Sequence, residues 1–154
     1  MSDLTLDPCQ QADRVADLMT PKPVTVSGDL PVAEVFELMH DRRIRHVPVV
    51  DDEGVLLGIV SQRDLLGHAG GGMRPTPADW GETSVAAVMN ERVDTVSVEC
   101  CAAEAARYML QSKRGCLPVI GEKDVVVGIV TEADFVRLAM RDQPTCTCGG
   151  VQLG

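Results

Sequence analysis

Hydrophobic and polar positions along the chain follow two alternating spacings. Between residues 32 and 39, apolar side chains recur at i, i+3, i+4 and i+7, the spacing of a helix with one buried face. The same spacing returns between residues 102 and 109 with smaller side chains. Apolar runs at 47–50 and 55–60, and again at 117–120 and 125–130, predict pairs of buried strands joined by a turn.

These patterns belong to an internal repeat with an offset of 70 residues. The segment Gly58–Asp64 recurs as Gly128–Asp134, and Met19 falls on Met89. The aligned unit reads as strand, helix, strand, strand, helix, with the first strands at 23–26 and 94–97. Because a helix separates the first two strands, that pair should be parallel. Two copies are too few for a solenoid, so we expect two half-domains packed about a pseudo-twofold axis with a shared cleft.

The composition of the linking and terminal segments divides the chain. A Gly- and Pro-rich stretch that includes Gly70–Gly72 separates the copies, and Trp80 within it is expected to be a packing anchor. The predicted parts are an N-terminal tail at 1–12, a first repeat at 13–67, a linker at 68–82, a second repeat at 83–141 and a flexible tail at 142–154.

The charge and composition restrict the classes of partner. A net charge of −9 argues against general binding to nucleic acid or to an anionic membrane. No apolar run is long enough to span a bilayer, and the polar start is unlike a secretory signal, so a cytoplasmic location is expected. Positive charge is nevertheless concentrated at 42–46 and 113–114, where a small anion could bind.

The order of a strand Thr, an apolar-Pro-Val strand and Gly-Ile-Val-Ser/Thr-x-x-Asp resembles the CBS domain, the cystathionine β-synthase repeat. Two in tandem resemble a Bateman module, from about Ala12 to Met140. The resemblance implies an α/β (α+β) fold of two β-α-β-β-α repeats and an adenine nucleotide (AMP, ADP, ATP or S-adenosylmethionine) as regulatory ligand. It also implies pairing of modules into a homodimer and control of a partner protein in trans, without a catalytic cofactor.

Asp64 and Asp134 are the sharpest candidates for ligand binding. A carboxylate can accept two hydrogen bonds from the ribose diol, with Ser61 and Thr131 facing the ribose or phosphate. The same Ser/Thr-x-x-Asp spacing is that of a helix capping box, which requires no ligand. The two roles are compatible, because a helix N-terminus also favours phosphate.

The resemblance also implies roles for other positions of the cleft. The expected ribose or phosphate residues are Thr25 and Thr95, the base-framing residues are Val47, Pro48, Leu117 and Pro118, and the phosphate candidates are Arg45, His46, Arg63 and Arg114. Each has a structural alternative, as strand or core residues or as a solvated basic helix end. The second copy has Gly115, Cys116 and Ala133 where the first has Arg45, His46 and Arg63, so the two clefts should be unequal.

Other functions remain open from the sequence. A ligand-free dimerisation scaffold fits the small residues Ala102, Ala105 and Ala106, which permit close helix packing. Cys146 and Cys148 could form half of a metal or redox site, although two thiolates are too few for a closed zinc site. No His lies at a spacing that suggests a nucleophilic triad, so we expect the chain not to be an enzyme and to hold no catalytic metal.

Overall fold

The computed structural model describes residues 13–70 and 76–141. The helices are α1 (Val15–Leu18), α2 (Val32–Arg42), α3 (Gln62–His68), α4 (Pro77–Trp80), α5 (Ala102–Ser112) and α6 (Glu132–Arg141). The strands are β1 (Thr20–Pro21), β2 (Val26–Ser27), β3 (His46–Val50), β4 (Leu56–Ser61), β5 (Val96–Ser97), β6 (Cys116–Ile120) and β7 (Val126–Thr131). Single 3-10 turns lie at Val85–Ala87 and Glu122–Asp124. The predicted tails at 1–12 and 142–154 lie outside the described residues, and the predicted limits of repeats and linker stay predictions.

Two sheets form the frame of the two repeats. The first has the strand order β2-β3-β4, and the second has the order β1-β7-β6-β5. In each repeat the first strand runs parallel to the second, and the second pairs antiparallel with the third, as the sequence predicts. The predicted mixed α and β fold is confirmed. Pro31 takes the N-cap position of α2, so neither Ser27 nor Asp29 caps this helix.

The segments that lead into each repeat are exchanged between the two sheets. Thr20 pairs with Ile129 at the edge of the second sheet, and Asn90 pairs with Ile59 at the edge of the first. Val15 is fully buried in the second repeat, whereas the 3-10 turn at Val85–Ala87 packs into the first. Each lead-in therefore completes the sheet and the core of the opposite repeat, which gives the contacts their pseudo-twofold symmetry.

Two glycines permit this exchange. A Cβ added at Gly58 would lie 2.6 Å from Met89 Sδ, and one added at Gly128 would lie 2.4 Å from Met19 Sδ. Real Cβ atoms do not approach sulfur so closely, so a side chain at either position would force the facing methionine to shift. Glycine in the repeated Gly-Ile-Val motif therefore leaves room for each lead-in methionine.

The two cores differ in their side chains. The first contains Trp80, which is 4% exposed, contacts the Phe36 ring at a centroid distance of 5.0 Å and donates from Nε1 to the Leu65 carbonyl at 3.0 Å. Trp80 is thus a packing anchor, as expected. In the second repeat Ala102 and Ala105 are buried within the repeat. Ala106 on the same helix is half-buried, and a role of this alanine face in dimerisation stays a prediction.

No helix within residues 13–70 and 76–141 is long and apolar enough to cross a bilayer.

Candidate functional site

The turn from β4 into α3 carries the first candidate carboxylate. Asp64 Oδ2 accepts from the Ser61 N–H at 2.8 Å and from Ser61 Oγ at 2.6 Å, while Ser61 Oγ accepts from the Asp64 N–H at 3.1 Å. This is a complete capping box, so the capping role of Ser61 and Asp64 is confirmed. The Asp64 side chain is exposed, and Oδ1 has no donor among the described residues. Binding of a ribose there stays a prediction.

The equivalent turn in the second repeat is closed by an extra contact. Asp134 Oδ2 accepts from Thr131 N–H at 2.8 Å and from Thr131 Oγ1 at 3.1 Å. Asp134 Oδ1 accepts from Arg137 Nη1 at 2.8 Å. The Asp134 side chain is 7% exposed. Both carboxylate oxygens are thus engaged by the chain itself.

Four of the predicted site residues converge near the start of β3. We call Arg45, His46, Arg63, Asp64 and Glu132 the His46 cluster, because the other four side chains all act electrostatically on His46. Burial lowers the pKa of His46 below its ordinary value of 6.5. The two carboxylates oppose this shift in pKa, and the two guanidinium groups add to it.

The His46 cluster spans the two repeats. Glu132 comes from α6, and a Cβ added at Gly115 would lie 3.4 Å from His46 Cε1. His46 also stands opposite Ser61 in the β3–β4 ladder. The positive charge that the sequence assigns to the first copy therefore lies beside the first carboxylate and against the beginning of β6.

Pro48 and Pro118 occupy equivalent positions in β3 and β6. Pro48 pairs with Ile59, whose N–H and C=O both bond to Asn90 on the other side. The proline therefore removes no hydrogen bond from the β3–β4 ladder. β2 begins opposite Val49, so the other side of Pro48 is an edge, where a strand proline is tolerated. Val47, Pro48, Leu117 and Pro118 are all buried, and their role in framing a base stays a prediction.

An open cavity of about 460 Å³ lies in the second repeat. We call it the second-repeat cavity; its lining side chains include Thr95, Val96, Cys100, Glu104, Ala105, Tyr108 and Leu117. Thr95 and Leu117, two predicted site residues, are thus brought together. In the aligned first repeat, Leu30 and Val35 stand in place of Cys100 and Ala105, and these larger side chains pack against or within the core. Smaller residues therefore leave room in the second repeat.

The start of β6 connects the second-repeat cavity to the His46 cluster along the chain. Gly115, which contacts His46, lies two residues before Leu117 in the cavity wall. Arg114, a predicted phosphate residue, is not in the cluster. Its Nε donates to Asp94 Oδ2 at 2.7 Å, and Asp94 also lines the cavity. The apolar part of the cavity wall and the Arg45 and Arg63 guanidinium groups thus come from different repeats.

The cysteines within the described chain are reduced and offer little chemistry. Burial raises the pKa of the Cys116 thiol to about 12 and also raises the pKa of Cys100. A thiol with a raised pKa is a poor nucleophile at neutral pH. In residues 13–70 and 76–141, His, Cys, Asp and Glu form no group of three suited to a metal. Cys146 and Cys148 lie outside the described residues.

Sequence reasoning missed one residue of the candidate site, Arg137. The signal was present as an Asp-x-x-Arg spacing on α6, since residues three apart share a helix face. The first repeat has Gly67 at the aligned position. Thr25, which precedes β2, is half-buried, and its predicted role in the cleft stays a prediction.

Comparison with known sequences defines the family. The sequence profile of the CBS domain matches residues 15–71 and 85–141, which together make up most of the chain. The chain therefore belongs to the CBS domain family, with two copies in tandem, and the predicted resemblance is confirmed.

Two relatives found by sequence comparison are longer than this chain. An uncharacterized protein of Methanocaldococcus jannaschii is 33% identical over 126 residues, which is 80% of this chain and 43% of that protein. The magnesium transporter MgtE of Thermus thermophilus is 34% identical over 131 residues, 82% of this chain and 27% of the transporter. The chain thus spans less than half of either relative.

Solved structures of similar length share the fold. A protein of Vibrio cholerae assigned to acetoin utilization (AcuB) has a TM-score of 0.74 and 41% identity, covering 84% of this chain and 91% of that one. CBSX2 of Arabidopsis thaliana, solved in complex with AMP, has a TM-score of 0.73 and 29% identity, with 82% and 96% covered. The cytosolic domain of MgtE, solved with ATP, has a TM-score of 0.66 and 33% identity, with 82% and 48% covered.

Proposed function

We propose that this chain is a regulatory sensor that binds an adenine nucleotide and controls a partner protein in trans. The ligand class is AMP, ADP, ATP or S-adenosylmethionine. CBSX2 with AMP and the MgtE domain with ATP support this class, because both are similar to this chain above 25% identity. The role is regulatory and not catalytic, and a cytoplasmic location stays a prediction.

One observation carries the proposal, namely the second-repeat cavity beside the His46 cluster. A volume of about 460 Å³ lies within the usual range for a small-molecule site. Leu117 and Ala105 supply apolar surface for a base. Asp64 offers the unengaged Oδ1 to a ribose hydroxyl, and the Arg45 and Arg63 guanidinium groups suit a phosphate.

Calorimetric titration tests the nucleotide claim. AMP, ADP, ATP and S-adenosylmethionine are titrated separately into the full chain, and at least one should bind. Asp64→Asn keeps the size of the side chain and should weaken binding by about tenfold, from the loss of a charged hydrogen bond. The absence of binding by all four ligands at millimolar concentration contradicts the proposal.

The alternative is a ligand-free dimerisation scaffold, and exposed apolar side chains favour some form of self-association. Leu110 on α5 is 78% exposed, and Val136 and Met140 on α6 are 59% and 66% exposed. The two helices pack against each other, so these side chains belong to neighbouring elements. We propose that they contribute to a homodimer.

Sedimentation velocity separates the sensor from the scaffold. Leu110→Lys should weaken the dimer if this face is the interface. A dimer that forms equally with and without all four nucleotides, combined with no calorimetric binding, would favour the scaffold. A dimer unaffected by Leu110→Lys would place the interface elsewhere.

A further inference from the structure

We infer that Arg137 occupies the place of a ligand's ribose at Asp134, so that each chain takes one nucleotide, on the Asp64 side. This inference rests on the proposed function and specifies which of the two aligned carboxylates serves it. It also assigns a role to Arg137 that the repeat pattern alone does not reveal.

The hydrogen bonds of the two carboxylates carry the argument. In both repeats, one oxygen accepts from the backbone N–H of the residue three positions earlier. The other oxygen distinguishes them: Asp134 Oδ1 accepts from Arg137 Nη1 at 2.8 Å, whereas Asp64 Oδ1 has no donor within the described residues. A ribose hydroxyl approaching Asp134 would have to displace a charged donor, but one approaching Asp64 would not.

The difference originates in a single aligned position. Arg137 is three residues after Asp134 on α6, which places the two side chains on one helix face. The aligned residue after Asp64 is Gly67, which has no side chain that could fold back. This part of the asymmetry is thus encoded locally and can be exchanged between the repeats by single substitutions.

The surroundings of Asp134 reinforce the block. The carboxylate lines a cavity of about 390 Å³ together with Asp17 and the guanidinium-bearing residues Arg137 and Arg141. Arg141 is itself engaged with Asp13, at 3.0 Å. A nucleotide that entered this cavity would contact two carboxylates and two guanidinium groups. One of those guanidinium groups, on Arg137, is already paired with Asp134.

The pair should act as a reversible competitor. The Arg137 side chain is 73% exposed, while Asp134 is 7% exposed. A ribose hydroxyl can reach Asp134 Oδ1 only after this guanidinium has left it, a step that binding at Asp64 does not require. Removal of the guanidinium should therefore reveal a second site without rebuilding the fold.

The test exchanges the two aligned residues. AMP and ATP are titrated calorimetrically into the full-length wild type, Arg137→Ala, Gly67→Arg and the control Arg107→Ala, which removes an exposed arginine on α5. The wild type should bind one nucleotide per chain. Arg137→Ala should bind two, Gly67→Arg should weaken the existing site about three- to tenfold, and Arg107→Ala should match the wild type. Thermal melting of each variant checks the fold.

A second ligand identifies the carboxylate. 2′-Deoxy-AMP lacks the ribose hydroxyl that would donate a hydrogen bond to the carboxylate. It should bind more weakly than AMP to the wild type and to Asp134→Asn. In Asp64→Asn the two ligands should bind equally. This readout reports on the ribose contact and does not depend on the fitted stoichiometry.

The outcomes that overturn the inference differ from those that overturn the proposed function. Two nucleotides per wild-type chain, an unchanged stoichiometry in Arg137→Ala, weaker binding in that variant, or sensitivity to Asp134→Asn alone would each refute the role of Arg137. No heat with either nucleotide in any variant, and none with ADP or S-adenosylmethionine, would refute the nucleotide site as a whole.

Discussion

The two repeats share their main helices and strands, but each supplies different parts of the candidate binding site. The first repeat supplies the Arg45 and Arg63 guanidinium groups, the His46 imidazole and an accessible Asp64. The second supplies the open cavity, because Cys100 and Ala105 are smaller than their aligned residues. The arginines of the candidate site and its open cavity thus lie in different repeats.

This division shows that duplication need not produce two equal sites. Residues that are aligned in sequence occupy equivalent places, yet a site at the boundary draws on both copies. Gly115, contacting His46 across that boundary, is the physical link between them. Because the two repeats differ at these positions, we expect one cleft to have all the groups that bind the ligand and the other cleft to lack some of them.

The largest expected effect is on stability, and it concerns the core of the first repeat. Trp80→Ala should destabilise the protein by about 3–5 kcal/mol, because it deletes a buried aromatic ring together with its bond to the Leu65 carbonyl. Urea unfolding followed by circular dichroism measures the loss. Trp80→Phe should recover part of the packing but not the hydrogen bond. A loss below about 1 kcal/mol would mean that the first core does not depend on this ring.

Filling the second-repeat cavity should make the two repeats alike. The double variant Cys100→Leu and Ala105→Val introduces the side chains of the first repeat, and nucleotide affinity should fall by tenfold or more, about 1.4 kcal/mol. Stability should hold or rise, as is common for cavity filling. Calorimetry and thermal melting measure both effects.

The reverse exchange provides the matched control for the filled cavity. Leu30→Cys with Val35→Ala should lower stability but leave affinity unchanged. Affinity that survives filling would place the ligand outside the second-repeat cavity.

The charges of the first repeat are expected to act on the phosphates. Arg45→Ala and Arg63→Ala should each weaken ATP by about three- to tenfold and AMP by less, since ATP carries more charge. Arg114→Ala is the control, because Arg114 is paired with Asp94. Added salt should reduce the difference. Equal losses for all three variants would refute the division of charge between repeats.

The smallest expected effect is a pH dependence of stability centred on His46. Burial lowers the pKa of His46 in the folded protein, so the folded state disfavours the proton that the unfolded chain accepts below about pH 6.5. The stability due to neutral His46 is therefore complete above that pH and is lost as the pH falls through the folded pKa. Urea unfolding from pH 7.5 to 5.5 should show a steeper decline for the wild type than for His46→Gln. Parallel curves would contradict this.

Much of the fold follows from local pattern. The helical spacing at 32–39 and the apolar runs around Pro48 and Pro118 predict their elements, because each pattern depends on neighbours a few residues apart. β2 and β5 are shorter than expected, since only their last residues lie beside β3 and β6. The exchange of lead-ins was not predictable from local spacing, because it joins residues that are far apart in sequence.

The candidate site was predicted in part for the same reason. Ser61 with Asp64 follows from a spacing of three residues, and the structure confirms the capping role. The proximity of His46 to Gly115 depends on how the repeats meet, which the sequence does not state. Arg137 was visible in the sequence, but aligning the repeats drew attention to charges lost from the second copy and not to the one it gained.

The exchanged lead-ins have a consequence for the order in which the protein can fold during its synthesis. Val15 and Thr20 emerge from the ribosome long before their partners Val130 and Ile129, which lie in the second repeat. The first core is likewise incomplete until Trp80 and Val85 have been made. We therefore expect neither half of the chain to fold alone, and expect separately produced halves to assemble only when mixed. The nascent first half would meanwhile expose an unpaired sheet edge, a surface that chaperones commonly protect.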